Sequence, residues 1–498
     1  MLTVGTFFLL FEKARTFFAA SQALGTGYDS NISSHKNPDP SVYEVNPSKG
    51  WKDEATIIFK DAMPLILALS LQYALTASSI LFVGHIGNAE VGAVSLANMT
   101  ATITGYCIYQ GFSTALDTLC PQAYGSGKKL LVGLHLQRMS MILLLLTIPI
   151  GVLWFNFTAI FLRMLPDSEH DVAVLAGLYL KIVFAGAPGY ALFEAGKRFF
   201  QAQGLFTPIL LVLVICASVN AFLSWLFVWK LNWGFVGAPI SVSIAMDLLP
   251  ILLALYVYLF RGSECWVPIS KNIWKGWGPM FRLAIPSWLM VEAEFATWEV
   301  MTLSASYLGT RSLAAQSGLT TVTCFAFYVG FSVSVASGTR VAQLIGAGIL
   351  ESVQTATRVA FCAAACAGLF NFVVIMGLRG VLPALFTSDI DVRNLTFTTL
   401  PMIAVLSTLD PIVACLTGIL RAIGRPALGT SVQIPVYYAL AIPLALVMAF
   451  RLHWGLLGQW GGLLIGQSLV IVIESGLLWY MLDWDKAAED AYQRNYSV

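Results

Sequence analysis

Charged side chains are scarce in this sequence. Asp, Glu, Lys and Arg make up 11% of the 498 residues, whereas hydrophobic residues make up 57%. Because a soluble protein usually carries about 25% charged residues, most of the surface of this chain does not face water. The net charge of +1 also provides no field that would attract nucleic acid. We therefore predict a polytopic membrane protein without a nucleic-acid partner.

The motifs of redox proteins, nucleotide-driven pumps and metalloenzymes are missing as well. The eight cysteines form no CxxC pair, and we interpret them as small hydrophobic residues. No GxxxxGKS or GxxxxGKT segment is present to hold the phosphates of ATP. Neither a His/Asp cluster nor a metal-binding motif occurs in a loop. The sequence thus argues against an enzyme and against ATP-driven transport, and we expect neither a cofactor nor a metal site.

Long apolar stretches dominate what is present. Twelve stretches of about 20 or more mostly apolar residues follow one another between residues 59 and 482. Most of the 28 Lys and Arg residues lie in the N-terminal tail or in loops that share its side of the membrane. Since cytoplasmic loops carry an excess of Lys and Arg, we predict an all-α protein with twelve transmembrane helices and both termini in the cytoplasm.

The two halves of the chain repeat each other at an offset of about 221 residues. Gln122 and Gly125 match Gln343 and Gly346, for example. Each repeat holds an even number of spans, which predicts two six-helix lobes related by pseudo-two-fold symmetry, with a cavity between them. The predicted parts are a disordered cytoplasmic tail (1–58), the first lobe (59–260), a cytoplasmic linker (261–279), the second lobe (280–482) and a cytoplasmic C-terminal tail (483–498).

Acidic residues inside the predicted spans are the sharpest anomaly, because ionisable groups are costly there and mark functional sites. Span seven carries Glu292, Glu294 and Glu299, with no Lys or Arg between Arg282 and Arg311. Desolvation and like-charge repulsion favour the protonated form of such carboxyl groups. A group of this kind takes and releases protons near physiological pH, as a proton-coupled carrier requires. On an ideal helix Glu292 and Glu299 share a face, whereas Glu294 and Glu299 are about 140° apart.

Several motifs resemble the multidrug and toxic compound extrusion (MATE) family of secondary transporters, in its eukaryotic, fungal-like branch. They are Gly84-His85-Ile86-Gly87, the segments 116–125 and 198–204, Pro286-Ser287 followed by Glu294 and Glu299, and Asp410 with Gly418, Arg421 and Gly424. The resemblance covers about residues 59–482. It implies a polyspecific exporter that exchanges organic cations, drugs or metabolites for protons or sodium, by alternating access between the lobes.

The resemblance favours Glu294, Glu299 and Asp410 as the residues that bind the coupling proton and the substrate. Further candidates are Glu292, Glu194, Asp247, Trp298 and Tyr328. Sodium stays open as the coupling ion, and a flippase for a lipid-linked substrate stays open as the function, although phosphate groups would call for Arg or Lys in the cavity. We expect small organic cations or metabolites and membrane lipids as partners, a monomer, and a vacuolar or plasma membrane location.

Charged residues at the ends of spans receive less specific interpretations. We expect Arg198, Arg421 and Arg425 to meet cytoplasmic lipid phosphates or helix ends. Asp117 is interpreted as a solvated helix cap near Lys128 and Lys129.

Overall fold

A computed structural model describes residues 50–84, 86–164, 169–387, 389–481 and 483–496. Within these ranges the chain is almost entirely helical and contains no β-strand. The part of the predicted N-terminal tail before residue 50 lies outside the described residues.

Six long helices form the first half of the chain. They are α1 (Trp51–Val83), α2 (Ala89–Gly125), α3 (Lys129–Met164), α4 (His170–Ala202), α5 (Thr207–Lys230) and α6 (Gly234–Leu259). Helix α2 is irregular, because a wide π-helical turn occupies Thr102–Tyr106. Such turns often mark functional sites.

Short 3-10 turns at Ser263–Cys265 and Lys271–Trp274 lead into the second half. Its long helices are α7 (Trp277–Ser306), α8 (Thr310–Ala347), α9 (Leu350–Gly377), α10 (Ile390–Ile423), α11 (Pro426–Arg451) and α12 (Gly455–Met481). A final helix, α13 (Trp484–Tyr496), follows them and forms most of the predicted C-terminal tail.

Ten of these helices are long and apolar enough to cross a membrane, among the residues that the structure describes. Helices α1 and α7 are not among the ten, and α7 carries the three carboxyl groups noted above. The chain is therefore an all-α, multi-pass membrane protein in which every span satisfies its own backbone hydrogen bonds. The count of twelve spans stays a prediction.

Each half packs around its own buried tryptophan. In the first lobe the Trp154 indole donates to Thr104 Oγ1 (2.8 Å), and in the second the Trp460 indole donates to Gln316 Oε1 (3.0 Å). Both tryptophans are fully buried, within separate hydrophobic cores. The predicted two-lobe architecture is confirmed.

The beginning of α1 corrects the predicted boundary of the N-terminal tail. Residues 51–58 are helical rather than disordered. Glu54 is fully buried and accepts two hydrogen bonds from Arg340 in α8, at 3.0 Å from Nε and 2.8 Å from Nη2. A buried carboxylate is stable only with such a partner, so the ion pair attaches the start of α1 to the second lobe.

The lobes meet at one end of the bundle through a reciprocal contact. Gln122 Nε2 donates to the carbonyl of Ala422 in the second lobe (2.7 Å), and its repeat partner Gln343 donates to the carbonyl of Ala202 in the first (3.0 Å). Gly125 lies against the carbonyl oxygen of Gln343, and Gly346 lies against that of Gln122. We call these residues (Gln122, Gly125, Gln343 and Gly346) the clasp. They give the internal repeat a physical meaning, because each half supplies the same contact to the other.

Helix α13 lies across the clasp and contacts both lobes. Asn495 Nδ2 donates to the Gln122 carbonyl (3.2 Å) in the first lobe, and Arg494 donates to the Ile423 carbonyl (3.0 Å) in the second. The ammonium of Lys128 lies over the Tyr496 ring, 3.1 Å from its centroid. Partial burial in this contact lowers the pKa of Lys128.

Candidate functional site

A cavity of ≈ 280 Å³ lies between the two lobes. Helices α1 and α2 of the first half and α7 and α8 of the second form its walls. Its polar and aromatic lining consists of Tyr73, Asn98, Thr102, Tyr106, Glu294, Phe295, Trp298, Glu299, Thr320, Cys324, Phe327 and Tyr328, joined by Met99. We call this space the central cavity.

The central cavity brings Glu294 and Glu299 together, along with the aromatic candidates Trp298 and Tyr328. Residues 294, 295, 298 and 299 all line it, so it wraps around an arc of about 140° of α7. The two carboxyl groups therefore share one space although they do not share a face of the helix. Within the described part of the chain, neither has a protein hydrogen-bond or salt-bridge partner.

A smaller cavity of ≈ 30 Å³ lies within the second lobe and adjoins the central cavity at Glu294. Its lining includes Glu294, Asp410, Arg421, Gln433, Tyr437 and Gln467. Asp410 is buried and accepts a hydrogen bond from Gln467 Nε2 at 2.5 Å. Its other oxygen has no partner among the described residues. We call this space the second-lobe pocket.

Glu292 lies outside both cavities. It shares a face with Glu299, but seven residues earlier on α7, about 10 Å along the helix axis. Its carboxyl group accepts a hydrogen bond from the Trp288 indole (3.3 Å). Glu292 is therefore outside the central cavity because of its position along the axis of α7, not because it lies on another face of the helix.

Glu194 is the centre of a buried ion cluster in the first lobe. It pairs with Lys197 (2.8 Å) and with Arg198, and it accepts a hydrogen bond from Gln72 Nε2 (2.8 Å). Gln72 in turn lines a cavity of ≈ 160 Å³ between the lobes, which shares Tyr73 and Tyr328 with the central cavity. Glu194 therefore stands one side chain behind the cavity wall, with its charge neutralised.

Asp247 lies in α6 of the first lobe, away from the central cavity. It packs against Gly189 of α4. Asp247 thus contributes to the packing of α6 against α4 within the first lobe.

The interpretations of Asp117, Arg198 and Arg421 are wrong. Both guanidinium groups are buried, and they flank Asp117 rather than meet lipid phosphates: Arg198 Nε lies 3.5 Å and Arg421 Nη1 3.6 Å from its carboxylate oxygens. Asp117 is mostly buried at the contact between the lobes, not a solvated cap. Arg425 pairs with Asp490 of α13 (3.6 Å).

Sequence reasoning missed the polar neutral residues of the second-lobe pocket. Gln467 and Gln433 lie in apolar spans, where an amide side chain is also a costly group that needs a partner. Gln433 Nε2 donates to Thr417 (3.0 Å) and to the buried Glu474 (3.0 Å). A search for amides as well as acids within the spans would have found them.

Comparison with known proteins agrees with this architecture. The sequence profile of the MatE family matches residues 64–226 and again residues 286–447, a spacing close to that of the internal repeat. An uncharacterized transporter of Schizosaccharomyces pombe is 38% identical over 454 residues, which cover 90% of this chain and 83% of that protein. Protein DETOXIFICATION 16 of Arabidopsis thaliana is 31% identical, over 86% of this chain and 89% of its own length.

Known structures have the same fold. The crystal structure of the eukaryotic MATE transporter AtDTX14 matches with a TM-score of 0.84 and 28% identity, over 90% of this chain and 100% of that one. Multidrug and toxin extrusion protein 1 of Xenopus tropicalis is 29% identical in sequence, over 93% of this chain and 81% of its own length. The family profile matches both halves of the chain, and the similarity to these proteins extends over nearly the whole membrane part. The chain therefore belongs to the MatE family of multidrug and toxin extrusion transporters.

Proposed function

We propose that the chain is a secondary active antiporter that exports organic cations, drugs or metabolites in exchange for protons. The observation that carries the proposal is the position of Glu294, which lines both the central cavity and the second-lobe pocket. A substrate in the first space and a proton in the second can therefore use the same carboxyl group. The chain is a carrier on this view and not an enzyme.

Exchange follows from competition for the ionised carboxylate. A positive substrate and a proton both bind that form, so the binding of one displaces the other. Glu299 adds a second negative charge in the central cavity, and Trp298 and Tyr328 present ring faces that attract a cation. Asp410 provides the second-lobe pocket with a further proton-binding group.

The direction that we propose for the exchange depends on the side of the membrane that the clasp faces. We place the clasp end on the cytoplasmic side, where the predicted topology puts both termini. The structure then represents a state closed toward the cytoplasm. Protons from an acidic exterior or organelle lumen would displace the substrate, and loss of the protons on the cytoplasmic side would allow reloading.

The charge of the central cavity favours a cationic substrate over a lipid-linked phosphate. Its described lining contains two carboxyl groups and neither Lys nor Arg. A flippase would need positive groups there to hold phosphate oxygens. We further propose that the protein works as a monomer in the vacuolar or plasma membrane, with membrane lipids as its surroundings.

Transport by the purified protein in liposomes tests the proposal. With radiolabelled tetraethylammonium outside, an acidic interior should drive uptake at equal sodium on both sides. A sodium-loaded interior at equal pH should not drive it, and liposomes without protein set the baseline. Uptake driven by sodium alone would reject the proton as coupling ion. Flipping of a fluorescent phospholipid without cation uptake would reject the exporter.

A further inference from the structure

Arg421 is the one cation in the described lining of the second-lobe pocket, and it also touches the other lobe. It lies in the last turn of α10, with 3% of its surface exposed. Its Nη1 lies 3.6 Å from Asp117 Oδ2 across the contact between the lobes. The same side chain borders the pocket that contains Glu294 and Asp410. Arg421 thus stands between acidic groups of two lobes.

Asp117 does not depend on Arg421 alone. Arg198, which belongs to the same lobe as Asp117, approaches its other oxygen at 3.5 Å. When the lobes separate, Asp117 keeps Arg198, whereas Arg421 loses its partner. A buried guanidinium group without a counter-charge is costly, and the remaining acids near it are those of the pocket.

The hydrogen bonds of Arg421 allow its guanidinium group to change partner from Asp117 to the pocket acids. Its Nε has no partner among the described residues, so the guanidinium is not held by a full set of acceptors. Its backbone carbonyl accepts a hydrogen bond from Thr118 of the first lobe, which also breaks when the lobes separate. The guanidinium can then turn within the second lobe, and arginine side chains on a helix lean toward its N-terminus, here the direction of Asp410.

We propose that Arg421 is a positioning residue that makes the proton affinity of the second-lobe pocket depend on whether the lobes are closed. With the clasp closed, Asp117 holds the guanidinium and the pocket carboxyl groups keep their protons. With the clasp open, the guanidinium turns toward Glu294 and Asp410, stabilises their ionised forms and expels the proton to the cytoplasm. This inference rests on the proton exchange proposed above.

The charge balance around the guanidinium supports this assignment. Its charged and titratable surroundings are Asp117 (α2), Glu194, Lys197 and Arg198 (α4), Glu294 (α7), Asp410 (α10), Tyr437 (α11) and, behind Gln433, Glu474 (α12). Lys197 and Arg198 already balance Glu194 and Asp117 within the first lobe. When Arg421 faces Asp117, the pocket acids Glu294 and Asp410 have no other cation in the described lining of the pocket.

Two substitutions that break the same ion pair have opposite predicted effects. Arg421→Gln removes the cation from both states, so the pocket holds its proton up to a higher pH. Asp117→Asn releases Arg421 toward the pocket in both states, so the proton is lost at a lower pH. We expect the midpoint of the pH profile of transport to move up by about one unit in the first variant and down by a similar amount in the second.

Arg421→Lys keeps a positive charge and should restore most of the wild-type profile. Arg425→Gln is the matched control, because Arg425 lies four residues further along, outside the pocket, and pairs with Asp490. It should leave the midpoint unchanged. If Arg421→Gln and Asp117→Asn move the midpoint in the same direction, or not at all, the ion pair is merely structural and the inference is wrong.

A second measurement follows the lobes directly. Spin labels at two exposed residues of the clasp end report the separation of the lobes. Ser263 lies in the linker, which packs on α3 of the first lobe through the Lys129–Glu264 pair, and Glu351 lies in α9 of the second lobe. In the wild type, low pH should favour the short distance and high pH the long one, because proton binding and clasp closure are linked. In Arg421→Gln the distances should no longer respond to pH. An unresponsive wild type would overturn the proton exchange itself, whereas an Arg421→Gln variant that responds like the wild type would overturn only the role of Arg421.

Discussion

Glu294 occupies a position that no other acid of α7 shares. It borders the central cavity on one side and the second-lobe pocket on the other, where Asp410 approaches from α10. Glu299 reaches only the central cavity. In the proposed exchange, Glu294 would link proton and substrate, and Glu299 would add attraction for a cation.

Replacement of these acids by amides tests these two roles. Glu294→Gln and Glu299→Gln keep the size and hydrogen bonding of the side chain but remove its titration. Both variants should insert normally and lose gradient-driven tetraethylammonium transport to the level of empty liposomes. Asp410→Asn should abolish it or weaken it strongly.

Glu474→Gln is the matched control for these variants. Glu474 is buried, as Asp410 is, but it lies behind Gln433 and outside the lining of both cavities. Its effect should be mild. Wild-type rates in both Glu294→Gln and Glu299→Gln would mean that the acids only hold the bundle together.

At the scale of elements, the clasp brings the backbones of α2 and α8, which belong to opposite lobes, into direct contact. A Cβ atom at Gly125 would overlap the carbonyl oxygen of Gln343, and one at Gly346 would overlap that of Gln122. The absence of a side chain at these two positions is therefore what permits the closed state. Gly125 and Gly346 are equivalent positions of the two repeats, and each allows the close approach of a carbonyl group from the other lobe.

Alanine at either glycine should favour the open clasp. Gly125→Ala or Gly346→Ala adds an overlap that costs about 1–3 kcal/mol, which shifts the equilibrium roughly 5- to 150-fold. The distance between labels at Ser263 and Glu351 should lengthen at every pH. Gly476→Ala is the control, because the space around Gly476 in α12 is empty. A closed distance in both clasp variants would show that the overlap is relieved without separation of the lobes.

Helix α13 adds a contact that bridges the closed lobes. Its Asn495 side chain donates to the Gln122 carbonyl and to Ser126 in the first lobe, while Ala487 and Ala491 are buried in the core of the second. Opening of the clasp must break the Asn495 hydrogen bonds.

Asn495→Ala should consequently make opening easier. The loss of its hydrogen bonds is worth about 1–3 kcal/mol, so labels at Ser263 and Glu351 should report more of the long distance. Gln493→Ala should not change the distance, because Gln493 is exposed and donates its hydrogen bond to Glu489 of its own helix. Equal distances in Asn495→Ala and the wild type would assign α13 no part in closure.

At the scale of the whole molecule, the proposed direction of transport depends on which end faces the cytoplasm. Ser270 lies in the linker that packs against the start of α3, next to the clasp end, where Arg138 donates to the Asn272 carbonyl. Arg311 lies in the first turn of α8, at the opposite end, where it is exposed and paired with Asp391.

Cysteine labelling in cells tests this orientation. In a background with Cys362 and Cys366, the two exposed cysteines of α9, replaced by alanine, Ser270→Cys should react with an impermeant maleimide only after permeabilisation. Arg311→Cys should react from the exterior, or from the lumen of isolated organelles. Reversed labelling would place the clasp outside and invert the proposed exchange.

The sequence by itself determined that the chain is a helical membrane protein and that it consists of two repeated halves. Apolar stretches long enough to span a bilayer can only be helices, because lipid offers no partner to backbone groups. The repeat of Gln122 and Gly125 at Gln343 and Gly346 predicted two equivalent lobes, and the three acids of span seven singled out a helix that lines the central cavity. These properties are local or periodic, so they need no knowledge of which helix packs on which.

Only the tertiary structure decided which side chains meet. An isolated helical wheel pairs Glu292 with Glu299, but the cavity wraps around α7 at the height of Glu294 and Glu299 and leaves Glu292 beside Trp288. Asp117 pairs with Arg421, and Glu54 pairs with Arg340, across the boundary between the lobes. Such partners are far apart in the chain, and their approach depends on how the lobes pack against each other, which spacing along the sequence does not encode.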